Sequence, residues 1–445
     1  MVPTSASSEL ARCVVAGSLV LGVGPVIAAG FQINEASGSG LGNAFAGGAA
    51  VAEDATTLWS NPAGLSRLST RQVAGAIHLI TPSIKFHNEF SAPATQQTLG
   101  GDGGDAGGLN VVPNLYLMMP LNRQWALGLG INAPWGLVTD YDDGWIGRFQ
   151  ADKSDIKTVN INPAASLRVN DRLALGFGLN VQRIDATFTN QVNYSALLLQ
   201  AGGPATPGLE STARIKGSDT AYGWNAGLLW ELDKDRRIGL HFRSSISYDV
   251  AGDATFTNPA TSNAAAAVVN SVVLFDSGVT AKVKLPPIAN LSYFGAVGSR
   301  WTVMADAQWT GWSTIKDLTF VRTNGITLAS TPEDFKDVWK LAAGANYRHD
   351  DKWLLRVGTA YDKSPVQRES RTPRLPDHDH IWLTAGARYQ WDAKMHLDFG
   401  GAYVWVKEAS INKSGDPSNL LAYGLINGQY KSNVTILSAQ LTSSF

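Results

Sequence analysis

Two short stretches carry residue types that can hold a metal. Asp377-His378-Asp379-His380 alternates carboxylates with imidazoles, a donor set suited to borderline divalent cations. On an extended strand its two histidines would share one face. The segment reads instead as loop polarity entering a strand, so no metal is expected. Gly100-Gly101-Asp102-Gly103-Gly104-Asp105 has the flavour of a calcium repeat. It occurs once where such architectures need several copies, which points to an outer loop. Gly-x-Ser-x-Gly and His-Glu-x-x-His are both missing, so a hydrolase lacks its usual nucleophile or zinc site. No catalytic residue and no cofactor is expected.

The remaining chemistry is apolar. Ala196-Leu197-Leu198-Leu199 lies between Gln191 and Pro207, and Ser271-Val272-Val273-Leu274-Phe275 between Pro259 and Ser277. Both stretches interrupt polar, irregular sequence, and solvent-facing loops rarely carry such runs without purpose. Packing of loop on loop is the plain alternative. A water-filled porin would be expected to line its constriction with charge instead.

These residues need a scaffold. Residues 1–28 read as an export signal, with an apolar run from Val14 to Val23 and small residues Val26-Ile27-Ala28 before a cut after Ala28. The run is too short for a membrane anchor, which needs roughly 20 residues. Leu10-Ala11-Arg12-Cys13 does not make a lipoprotein box, because its cysteine precedes the apolar run. Cys13 is the only cysteine, so the exported chain would have no disulfide. Lys and Arg number 36 against 37 Asp and Glu, a balance that gives no argument for nucleic acid. Charged residues are 16% of the chain, below the roughly 25% of soluble domains. No run of roughly 18 apolar residues follows the signal, which excludes a bundle of membrane helices.

Alternation replaces such runs. Leu173, Leu175, Phe177, Leu179 and Val181 fall on every second position, as do Trp353, Leu355, Val357, Thr359 and Tyr361, and Met395, Leu397, Phe399, Gly401, Tyr403 and Trp405. The intervening residues are small or polar. This predicts strands with one face to lipid and one to a lumen, with a soluble sandwich as the alternative. Polar turns at Asn122, Asn170, Asp233, Ser299, Asp350 and Asp392 punctuate the strands. Six short inner turns with both termini on the same side imply seven hairpins. The expected fold is therefore an all-β transmembrane antiparallel barrel of 14 strands over residues 71–445. Residues 29–70 are too rich in Gly and Ala to form a domain of their own. They end in the turn-forming Asn61-Pro62-Ala63, and the lumen would house them as a hatch.

The ordered blocks along the chain resemble the long-chain fatty-acid outer-membrane transporter family, FadL-type, which includes aromatic-hydrocarbon transporters. They are Ala29-Gly30-Phe31-Gln32, Gly40-Leu41-Gly42-Asn43-Ala44, Asn61-Pro62-Ala63, Gly223-Trp224-Asn225-Ala226-Gly227, Glu231-Leu232-Asp233-Lys234, Phe335-Lys336-Asp337, Asp362-Lys363-Ser364-Pro365-Val366 and the Pro-Asp-rich segment from Leu375 to Leu383. The resemblance implies a plugged barrel in the outer membrane of a Gram-negative cell, working as a monomer. Ligand would be captured by apolar outer loops (Leu198, Val272, Phe275), passed to a pocket and released sideways at a kinked strand without an energy source. Phe31 would line the pocket on a mobile end, and Asn61, Pro62 and Ala63 would shape the hatch.

Phe188 and Ile215 match apolar pocket positions. Asn190 and Thr331 stand where fatty-acid-binding members carry bases, which leaves fatty acid and neutral aromatic hydrocarbon both open. Arg214 and Lys216 flank Ile215 and are candidates to replace those bases, or are simply surface charges. The implied partners are hydrophobic small molecules, outer-membrane lipid and lipopolysaccharide, and the barrel-assembly machinery, addressed by the C-terminal strand ending in Phe445.

Overall fold

The computed structural model describes residues 30–413 and 418–445, so the expected signal over residues 1–28 lies outside the described residues. Twenty strand segments form one antiparallel sheet. The wall runs β1 (Gln72–Asn88), β2 (Asn110–Pro120), β3 (Trp125–Asn132) with β4 (Gly136–Asp140), β5 (Lys153–Arg168), β6 (Leu173–Asn193) and β7 (Glu210–Glu231). It continues through β8 (Arg236–Arg243) with β9 (Ile246–Thr257), β10 (Ser277–Leu285) with β11 (Ile288–Val297), β12 (Trp301–Thr310) with β13 (Asp317–Arg322), and β14 (Thr327–Pro332) with β15 (Val338–Arg348). The last four staves are β16 (Trp353–Asp362), β17 (His380–Gln390), β18 (Met395–Val406) with β19 (Ala409–Asn412), and β20 (Asn427–Ser444). Segments joined in this way make 14 spanning strands. The barrel closes where β1 pairs with β20, from Gln72↔Ser444 to Asn88↔Gly428.

The alternation does what its period predicts. Leu175, Phe177 and Leu179 are exposed on the outer face, while Ala174 and Asn180 are buried inside. Trp309 and Trp339 pair across adjacent strands near their outer ends, and Trp301 faces Tyr347 near the inner ends. Such rings mark the two membrane boundaries. The inner turns share one device. Asn122 Oδ1 accepts from the N–H groups of Gln124 and Trp125 at 2.8 and 2.9 Å, and Asp350 Oδ1 from those of Lys352 and Trp353, both at 2.8 Å. Asn170, Asp233 and Asp392 repeat the pattern. A short carboxylate or amide thus satisfies the two donors that a tight turn leaves unpaired.

Residues 30–68 lie against the inward faces of the strands. Gly38 N–H donates to Gln440 Oε1 at 2.9 Å, and Asn43 Nδ2 donates to the carbonyls of Ala345 and Val357 at 3.2 and 3.1 Å. Ser166 Oγ donates to the carbonyl of Ala63 at 3.0 Å. The strands carry glycine where the segment comes closest. A Cβ at Gly227 would meet Asn61 Oδ1 at 1.9 Å, and one at Gly176 would meet the Ala63 nitrogen at 2.2 Å.

Candidate functional site

Asn61 shows how the N-terminal segment is held. It is fully buried. Its Nδ2 donates to the carbonyls of Ala49 (2.7 Å) and Leu228 (3.0 Å), while its Oδ1 accepts from Ala63 N–H at 3.0 Å. Pro62 opens the following 3-10 turn, Pro62–Arg67, and lacks the N–H that a turn's first residue leaves idle. One side chain therefore ties two parts of the segment to each other and to β7. A second tie is ionic. Glu53 faces Arg356 at 3.1 Å and Arg388 at 3.3 Å, and both guanidiniums also reach Asp398. Burial pushes the Glu53 carboxyl up, but the two arginines outweigh it and hold it at about 2.

The start of the segment is latched as well. Gly30 N–H donates to Asp377 Oδ2 at 2.8 Å. Ser364 Oγ donates to the same oxygen at 2.6 Å, and His380 Nε2 meets Asp377 Oδ1 at 2.8 Å. The carboxylate-imidazole alternation is thus a latch of hydrogen bonds, with Asp379 accepting from Tyr361 Oη at 2.6 Å. Gly30 has φ +69°, and a Cβ there would meet the Trp312 ring at 2.6 Å, so only glycine fits. Beyond it, Gly136 N–H donates to the Phe31 carbonyl (2.9 Å) and Ile33 N–H to the Pro134 carbonyl (2.8 Å). The segment is bridged to the break between β3 and β4, where Ala133-Pro134-Trp135 leaves the strand. Phe31 does not sit on a free end: backbone bonds fix it on both sides.

Its ring forms one wall of a cavity of about 610 Å³. Phe31 packs edge-on against Trp135 (5.8 Å) and Trp312 (4.9 Å). Leu137, Ile156, Ile184, Phe188, Val250, Leu285, Ile315, Phe320, Phe335 and Leu375 complete an apolar lining. Charged side chains reach it in two places, Arg374 and Glu333 at an inner corner and Lys282, Lys284 and Lys316 at the outer side. Arg374 has its guanidinium 5.3 Å from the Phe188 ring. Its hydrogen bonds, to the Lys153 carbonyl and Ser154 Oγ at 3.3 Å and to Asn190 Oδ1 at 3.4 Å, are long. Charged donors normally sit at about 2.7–2.9 Å, so Arg374 is poorly occupied by the protein itself. Glu333 shares the cavity, and burial raises its carboxyl to about 8, against the pull of Arg374 and Lys413. Burial lowers Arg374 to about 10. At neutral pH the corner therefore holds a cation beside a mostly uncharged acid.

The residues singled out from sequence are spread over three places. Phe31 and Phe188 line the cavity together. Ile215 lies behind it, in a small void with Phe188 and Val250. Arg214 and Lys216 are exposed on the outer face of β7, because strand alternation turns them opposite to the buried Ala213 and the half-buried Ile215. They do not reach the chamber.

In the outer loops Leu198 is fully buried among Tyr194, Ala265, Val269 and Leu274, so it packs loop on loop. Val272, by contrast, is 66% exposed, and Phe275 lies half-buried 4.0 Å from the Arg322 guanidinium. Thr331 pairs with Leu318 on the β13–β14 hairpin. Asp105 accepts from Ser83 Oγ (2.6 Å) and Ile84 N–H (2.7 Å), closing a loop over β1. Arg374 and Glu333 were not foreseen. The one available signal was a lone base between Pro373 and Pro376, held out of any regular element.

A closed membrane barrel with an inward-packed N-terminal segment and an apolar internal chamber defines an outer-membrane transport protein. Residues 19–445 match the profile of the family described as Outer membrane protein transport protein (OMPP1/FadL/TodX), and the chain belongs to that family. It is thus a transporter of the outer membrane, not an enzyme. It is 31% identical to the long-chain fatty acid transport protein of Escherichia coli O6:H1, covering 84% of this chain and 86% of the other. Among solved structures, a Pseudomonas aeruginosa FadL homologue superposes with a TM-score of 0.84 at 25% identity, over 94% of this chain and 100% of the other. The Ralstonia pickettii toluene transporter TbuX shares the fold, with a TM-score of 0.63 at 18% identity over 94% and 99% of the two chains.

Proposed function

We propose that the chain is a passive channel for hydrophobic compounds, with long-chain fatty acids as cargo. The observation that carries this reading is the chamber: a largely apolar cavity closed on one side by Phe31, with an under-occupied cation, Arg374, at its inner corner. A fatty acid has the matching form, a long apolar chain with one carboxylate. Exposed loop residues such as Val268 and Val272 make the first capture. Residues 30–68 plug the lumen, and Phe31 gates the chamber. Release is sideways, at the β3–β4 break to which Phe31 is bridged. The protein works as a monomer among outer-membrane lipid and lipopolysaccharide, and its final strand, ending in Phe445, addresses it to the assembly machinery.

The neutral residues Asn190 and Thr331 favour a second reading, uptake of aromatic hydrocarbons. The deciding measurement is import of labelled oleate and labelled toluene by cells carrying wild type or Phe31→Ala, with barrel assembly checked by heat-modifiable migration. Altered import by an assembled Phe31→Ala barrel supports gating; wild-type import of both compounds sinks it. The compound whose import changes names the cargo.

A further inference from the structure

The wall of the chamber is broken a second time, far from the β3–β4 break. β10 pairs with β13 only through Val279↔Arg322, Thr280↔Val321 and Ala281↔Phe320. The ladder resumes at Ile288↔Thr310 between β11 and β12. Between these points one strand runs from Ala281 to Ile288 and the other from Thr310 to Phe320, which is three residues longer. Pro286-Pro287 removes two donors from the shorter side, and the longer side bulges through the 3-10 turn Trp312–Thr314. Gly311 N–H to the Pro287 carbonyl (2.9 Å) closes the lower end. Inside the gap Thr314 Oγ1 donates to the Lys284 carbonyl at 3.1 Å. The chamber extends into the gap: Val283, Leu285 and Ile315 line it on the inner side, and the exposed Lys282, Lys284 and Lys316 line it on the outer side.

Height and charge say what would use such an opening. It begins one residue beyond the Trp309–Trp339 pair, which sets it at the boundary between hydrocarbon and polar headgroups. Lys282 faces Asp249 on β9, Asp317 follows Lys316, and the balance at the rim is one positive charge. Among the described residues none of the three lysines is in an ion pair.

We propose that this gap is a lateral portal, through which an anionic single-chain amphiphile lying in the outer leaflet enters the chamber tail first. Its carboxylate rests at the height of the three lysines, and its chain finds Val283, Leu285 and Ile315 inside. The inference rests on the chamber being a fatty-acid site. It differs in adding a path from the membrane to the path from water through the loops.

The test closes the gap reversibly. Continuing the β10–β13 register would oppose Lys282 to Thr319, so the Lys282→Cys/Thr319→Cys pair spans the gap, in a chain whose only other cysteine is Cys13. The full chain is purified, and loading of oleate from vesicles is timed in the oxidised and reduced forms of the same variant. Oxidation should slow loading about tenfold or more, and dithiothreitol should restore it. Equal rates overturn the portal. The charge arm uses Lys284→Glu/Lys316→Glu, which should slow oleate but not methyl oleate; equal slowing or none overturns the role of the lysines. Equilibrium oleate binding separates this inference from the chamber reading. If the reduced form binds oleate and oxidation changes nothing, the portal alone falls. If the wild-type chain binds no oleate, the chamber reading falls and takes the portal with it.

Discussion

Arg374→Gln is the perturbation that reports most directly on what the chamber holds. Glutamine keeps hydrogen-bonding atoms near Ser154 and Asn190 but removes the cation. Because Arg374 makes only long bonds of 3.3–3.4 Å within the protein, little native structure depends on it, and the loss should fall on the ligand. A hydrogen bond to a charged group contributes about 1.5–3 kcal/mol, which is about 10- to 100-fold in affinity. Oleate binding by the purified chain, followed by fluorescence displacement at pH 6, should weaken by that factor, while methyl oleate should change by less than about twofold.

Glu333 gives the experiment a second axis. Its carboxyl, raised to about 8 by burial, is protonated at pH 6 and ionised at pH 9, whereas a fatty acid's carboxylate with an ordinary pKa is ionised at both. Wild-type affinity for oleate should therefore fall as pH rises through 8, when the Glu333 carboxylate comes to compete for Arg374. Glu333→Gln should abolish that fall. If oleate binds Arg374→Gln as tightly as wild type, or if methyl oleate weakens in parallel, Arg374 is not the head-group partner.

Three further outcomes are expected. Phe31→Ala removes two edge-on aromatic contacts, each contributing about 0.5–1.5 kcal/mol; equilibrium binding of apolar ligands should shift measurably, while thermal unfolding of the barrel moves little. Asp377→Asn weakens the hold on Gly30 N–H and on His380, so hydrogen exchange over residues 30–36 should accelerate, with exchange in β1 unchanged. Glu35 is buried, and burial raises its carboxyl to about 7, against the pull of Lys340 and of the backbone N–H groups of Glu35 and Asn34. A raised acid favours the seated state below its ordinary pKa, and that contribution is lost as pH climbs from about 4.5 through 7. Glu35→Gln should therefore stabilise the seated segment at pH 8 by up to about 3 kcal/mol, with little effect at pH 4, read by hydrogen exchange at the two pH values.

The barrel was legible because its physics is local. A period of two along Leu173–Val181, and an Asx residue at five of the six inner turns, need no knowledge of the rest of the chain. Phe31 stands in Ala29–Gln32, a block that carries the family likeness, whereas Phe188 came from position-by-position matching; both line the chamber. The cation was missed because its position depends on distant parts. Arg374 reaches the cavity only through the path of residues 363–379 across the lumen, and nothing near it in sequence shows that path. Arg214 and Lys216 were nominated by adjacency to Ile215, and adjacency in a strand places side chains on opposite faces. Leu198 illustrates the remaining limit: an apolar loop run looks the same whether it faces water or another loop.

The contacts of the N-terminal segment also fix an order of events. Gly38 meets Gln440, 402 positions away, and Asn43 meets strands more than 300 positions on. Part of the surface that receives residues 30–68, the face around Gln440 on β20, is complete only when the last strand is in place. Residues 30–68 precede every strand of the wall in sequence, yet they complete their contacts only after its last strand is made. Until then the segment can make only part of its native contacts, such as the Asn61–Ala49 bond within it and the Asn61–Leu228 bond to β7.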